Sequence, residues 1–76
     1  MRTLAQIPLH EKTKVLGIVE SELKPKLLEM GLYPGKEVEV LFKAPFGDPI
    51  AIRVGEYKMS LRMSDAVMVD VNLKQI

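Results

Sequence analysis

The sequence contains no cysteine and only one histidine, His10. The first absence excludes disulfides, thiolate zinc sites, iron–sulfur clusters and cysteine nucleophiles. The second leaves little for acid–base chemistry, because histidine is the commonest general base. Long apolar runs are missing too. The longest stretch without Asp, Glu, Lys or Arg is the eight residues from Thr3 to His10, against the 18 or so that a spanning helix needs. That start is also too short and too polar, with Gln6 and His10, for a secretory signal, so a cytoplasmic location without direct membrane insertion is expected. Charge of one sign is not in surplus: 11 basic and 10 acidic residues give a formal net charge of +1. Such a chain has little long-range pull on nucleic acid. Only four aromatics, Tyr33, Phe42, Phe46 and Tyr57, are available as stacking platforms. No nucleic-acid partner is therefore expected.

At 76 residues the chain is read as one domain, 1–76. Its second half alternates with period two. Val38, Val40 and Phe42 alternate with charged residues, although Leu41 interrupts the pattern. Ile50, Ile52 and Val54 follow, then Tyr57, Met59 and Leu61, then Val67, Val69 and Val71. These are half-buried antiparallel strands, and the reading turns Phe42 and Tyr57 inward. Gly55-Glu56 is a two-residue hairpin turn with glycine first, where positive φ is required. Lys14 to Val19 is a further strand with few polar slots, consistent with cover on both faces.

Leu23, Leu27, Leu28 and Met30 fall at i, i+4, i+5 and i+7, one face of a short helix. Pro25 suits its first turn, Gly31 its C-terminal stop, and Pro34-Gly35 a type II turn. Short strands, tight turns and one or two short helices predict a mainly β fold. The expected form is a small SH3-like barrel of about five to six antiparallel strands, closed to hide its edges, with an OB-like barrel second.

Chemistry is sparse. Ser21, Ser60 and Ser64 lie outside any nucleophile motif, and the glycines form no phosphate cradle. Glu37 and Glu39 share a strand face and read as solvated charges. His10-Glu11 with Asp48 falls short of a closed metal site. No enzyme activity, no cofactor and no metal-ligand set is expected.

From Leu27-Leu28-Glu29-Met30-Gly31-Leu32-Tyr33-Pro34-Gly35 the chain resembles the ferrous iron transport protein A family, FeoA. The likeness runs on through Ala44 to Ile50, Gly55-Glu56-Tyr57, Ser60-Leu61-Arg62 and Ala66 with its valines. It implies an SH3-like barrel in the bacterial cytoplasm. It also implies a role in ferrous iron uptake beside FeoB, a membrane transporter with a cytosolic GTP-binding part. His10 stands where the family often has glycine, and Pro25 where relatives carry a helix former.

Taken with the missing chemistry, the resemblance points to a protein that works by contact. Leu28, Met30, Leu32, Tyr33 and Phe46 are the expected partner-binding residues, although each leucine also suits the core. The expected partner is an FeoB-type transporter, through its cytosolic GTP-binding part or its membrane domain, which would recruit the chain to the inner face of the plasma membrane. Alternatives are a regulatory module similar to the C-terminal domain of iron-dependent repressors, and homo-oligomerisation through the Glu37–Glu39 strand or the apolar patch. A bolder reading makes Arg53 or Arg62 an arginine finger.

Overall fold

The alternating segments pair as consecutive hairpins in a computed structural model that describes residues 2–72. Strands β1 (Arg2–Thr3), β2 (Lys12–Ile18), β3 (Glu37–Lys43), β4 (Ile50–Val54), β5 (Tyr57–Leu61) and β6 (Val69–Val71) form one antiparallel sheet. Its order is β1-β6-β2-β3-β4-β5. Helix α1 (Lys24–Glu29) lies between β2 and β3, and the single-turn helix α2 (Met63–Ala66) lies between β5 and β6. Among the described residues β1 and β5 do not pair, so this SH3-like barrel is open along one seam rather than closed. Strand β3 is interior, flanked by β2 and β4. The Glu37–Glu39 strand therefore cannot pair two copies edge to edge.

Two bulges bend the sheet and correct the sequence reading. Val40 pairs with Ile52, but the next pair is Phe42 with Ala51. Leu41 is the extra residue, and an extra residue moves everything after it to the opposite face. Phe42 is accordingly 58% exposed rather than inward. In β2 the step from Val15 to Gly17 against Val71 and Asp70 leaves Leu16 as the extra residue. That bulge explains the missing polar slots, and the strand has one buried face: Thr13, Val15 and Ile18 are buried, whereas Leu16 and Val19 are exposed.

Tyr57 departs for another reason. It pairs with Val54 and so lies on the core side, but at the start of β5, which is an edge strand among the described residues. It is 74% exposed. Val67 is exposed as well, since its N–H donates to the Met63 carbonyl and closes α2. The last strand begins only at Val69.

The apolar positions of the strands meet Leu4, Ile7, Leu27 and Leu32 in one core. Each such side chain, fully removed from water, contributes about 1.5–3 kcal/mol. Thr13, the buried polar residue among those described, donates its hydroxyl to the Asn72 carbonyl at 2.9 Å, so its burial leaves nothing unsatisfied.

Pro25 occupies the first turn of α1, and Gly31 with φ of 99° ends the helix. Gly31 N–H donates to Leu28 C=O at 3.0 Å, and Leu32 N–H to Leu27 C=O at 3.1 Å. This pair of bonds is a Schellman cap. The type II turn at Pro34-Gly35 closes through Lys36 N–H on Tyr33 C=O, and the Gly35 N–H is anchored on Val15 C=O of β2.

Candidate functional site

The five residues expected to touch a partner do not form one patch. Strand β3, about 20 Å long, separates the helix end with Tyr33 from the loop with Phe46.

At the α1 end the cap decides which side chains face out. Leu32 is 0% exposed, because a Schellman cap presses the residue after the glycine against the last turn of the helix. Leu32 is core and cannot contact a partner. Met30 is half-buried against the core. Leu28 lies roughly 140° around the helix from Leu23 and is 36% exposed. Tyr33 is half-exposed, with the Lys36 ammonium 5.7 Å from its ring centroid. The surface there reduces to Leu28, Tyr33 and the edge of Met30.

At the other end, Ala44 to Gly47 make a tight turn closed by Gly47 N–H on Ala44 C=O at 2.7 Å. Pro45 takes the first central position and Phe46 the second, with φ of 72°. A type II turn requires positive φ there and ordinarily uses glycine. A non-glycine residue held left-handed costs about 1–2 kcal/mol. Phe46 carries that strain with its side chain wholly in solvent. The loop is pinned at its base, with Asp48 Oδ1 accepting the Met63 N–H of α2 at 3.0 Å and Ala44 N–H donating to Pro49 C=O at 3.1 Å. A fixed, strained turn thus holds an aromatic ring away from the core. Phe42, at the same end of β3, adds a second exposed ring. The sequence reading missed it, although Leu41, the residue that breaks the alternation, marks the bulge responsible.

Between the Pro34-Gly35 and Gly55-Glu56 turns lies a shallow cleft of about 210 Å³, lined by Lys12, Lys36, Glu37, Glu39, Arg53 and the two turn glycines. Arg53 donates to Glu39 at 3.2 Å. Arg53 is thus engaged on its own sheet, and Arg62 lies exposed at the start of α2, where its side chain makes no capping hydrogen bond. Of the other acid groups considered from sequence, two have structural partners. Glu11 accepts from Arg2 at 2.8 Å, and Asp48 caps α2. His10 is exposed at φ of 67°, and its backbone N–H donates to Val40 C=O at 2.7 Å. It occupies a left-handed position, which glycine would take without strain. Among the described residues no group of three or more His, Cys, Asp or Glu side chains is placed to hold a metal ion.

The FeoA domain model matches residues 2–73. A Fe(2+) transport protein A/Fe(2+) transporter FeoB fusion protein of Porphyromonas gingivalis is 40% identical over 50 residues. Those residues are 66% of this chain but only 6% of that protein, so the chain spans a small part of this relative's length. The FeoA-like protein of Clostridium acetobutylicum superposes with a TM-score of 0.88 at 40% identity, over 97% of this chain and 90% of that one. The FeoA of Stenotrophomonas maltophilia, an SH3 domain protein solved in complex with zinc, superposes with a TM-score of 0.85 at 31% identity, over 95% of this chain and 91% of that one.

Proposed function

The chain belongs to the FeoA family, and on that premise we propose that it is a cytoplasmic accessory protein of ferrous iron uptake, which binds an FeoB-type transporter and modulates or assembles it without chemistry of its own. The observation that carries this reading is the Porphyromonas gingivalis relative, in which a similar domain is continuous with the transporter. Fusion holds two parts at high effective concentration. Where the two are not fused, the same work needs an interface instead. The fusion also favours the transporter over a repressor-like role.

Phe46 is the anchor of that interface, with Phe42 beside it on the same end of β3. Its turn is pinned before binding, so little ordering entropy is lost when the ring enters an apolar pocket. Truncating a central aromatic of this kind typically costs 2 kcal/mol or more, roughly a 30-fold loss of affinity. The helix-end surface of Leu28 and Tyr33 lies at the far end of β3 and is separate from this contact.

The test is retention of the purified chain by the full-length transporter from the same genome, held in lipid nanodiscs. Wild type is expected to bind and Phe46→Ala to bind at least tenfold more weakly, while Leu32→Ala acts only through stability. Absence of binding to the intact transporter, or equal binding by Phe46→Ala, overturns the reading.

A further inference from the structure

Strand β5 offers a free edge. The two-residue turn at Gly55-Glu56 makes Val54 and Tyr57 the closing hydrogen-bonded pair. The alternation of an antiparallel ladder then repeats at Met59 and Leu61. The N–H and C=O groups of Lys58 and Ser60 therefore point away from β4, and among the described residues no strand lies beyond them. The free edge stops at Arg62, whose carbonyl already accepts from Asp65 and Ala66.

The side chains along this edge are not neutral about what could pair with it. One outward row crosses the sheet as Lys12, Glu39, Arg53 and Lys58 on β2, β3, β4 and β5. The signs alternate until the last place, where Lys58 stands directly opposite Arg53. Glu39 holds Arg53, and Lys58 forms no ion pair among the described residues. The next outward row is Phe42, Ala51 and Ser60. There an exposed ring is followed by two small side chains as far as the edge.

We propose that β5 accepts an extended segment of a partner protein as a seventh strand, with an acidic side chain opposite Lys58 and an apolar one opposite Ser60. The carboxylate restores the alternation of the first row. The apolar side chain lies over Ser60 and Ala51 toward Phe42. Lys58 and Ser60 each exchange an N–H and a C=O with the added strand, the arrangement by which edge-strand recognition gains its affinity. A second copy of the chain fits less well. Pairing β5 with itself about Lys58 sets two ammonium groups opposite each other, and pairing about Met59 sets Lys58 against Ser60 without a carboxylate. An edge lysine is a usual defence against such pairing. This inference does not depend on the identity of the transporter partner, and its test uses no transporter.

The probe is the capped peptide Thr-Thr-Phe-Thr-Glu-Thr-Thr, whose order sets Phe against Ser60 and Glu against Lys58 in an antiparallel strand. Added to the isotope-labelled full chain, near saturation it is expected to slow exchange of the Lys58 and Ser60 amides about tenfold and leave Met59 unchanged. Replacing its Glu by Lys should abolish the effect on wild type and restore it on Lys58→Glu. Ser60→Pro, which removes only an outward N–H and so keeps the ladder to β4, should block either peptide. Peptide binding that protects neither amide, no binding at about 1 mM, a weak but readable range, or concentration-dependent protection of the same amides by a second copy would each overturn the proposal. Lys58→Glu with its matched peptide keeps the test decisive should Ser60→Pro fail to fold.

Discussion

Leu32 donates its backbone N–H to the Leu27 carbonyl at 3.1 Å, and both side chains are 0% exposed. The bond ends α1 and the paired burial seals it against the sheet. Because α1 is only six residues long, its own hydrogen bonds cannot sustain it in water. It exists because Leu27 and Leu32 hold it down. The same lock turns Leu28 and Tyr33 outward.

Leu32→Ala should therefore destabilise the fold by about 2–5 kcal/mol, the range for an emptied core leucine. Leu28→Ala, on the exposed side, should stay within about 0.5 kcal/mol. Urea unfolding of the two variants measures both. Similar losses would mean that the cap does not bury Leu32 in solution.

Phe46→Gly should raise stability by roughly 0.5–1 kcal/mol. Relief of the left-handed strain is worth about 1–2 kcal/mol, less the extra freedom glycine has when unfolded, about 0.5–1 kcal/mol. The thermal midpoint should rise while transporter binding falls. That opposition is the signature of strain kept for contact, and a fall in both would deny it.

Asp48→Ala removes the acceptor for the Met63 N–H and should cost about 1 kcal/mol, as loss of a helix cap does. Asp48→Asn retains an acceptor oxygen and should recover most of it. Hydrogen exchange at Met63 reads the effect directly, with faster exchange in the alanine variant only.

Gly55→Ala should destabilise by about 1–2 kcal/mol. Its φ is 61°, and an added Cβ would stand 3.1 Å from the Lys36 ammonium. The lysine, beside Tyr33, would have to give by a few tenths of an ångström. Denaturation gives the cost, and a shift of the Tyr33 ring resonances in the spectrum reports the displacement.

Much of the fold is legible in the chain itself. Valine and isoleucine at every second position, separated by Gly55-Glu56 and by the Pro45–Pro49 loop, specify hairpins because side-chain alternation and turn chemistry are local properties. Pro25, Gly31 and Pro34-Gly35 set the ends of α1 and the turn after it for the same reason. The exposure of Phe46 was legible too, since a loop tip bracketed by prolines gives an aromatic ring no inward phase.

What local pattern could not decide was the side on which a residue lies once a strand is interrupted. Leu41 read as an interruption of the alternation and Leu16 as one apolar position among several, yet each is the surplus residue of a bulge, and Phe42 is turned to solvent by a pairing register set from the neighbouring strand. Tyr57 keeps the phase its sequence assigns but lacks cover, because the chain leaves through α2 and among the described residues no strand returns beside β5. Leu32 read as a partner-binding residue that also suited the core, and it is core, since its neighbour across the cap is Leu27. The composition and turns determined which elements form. Pairing register, the open seam and the burial of each face are long-range properties, and only packing of the whole sheet decides them.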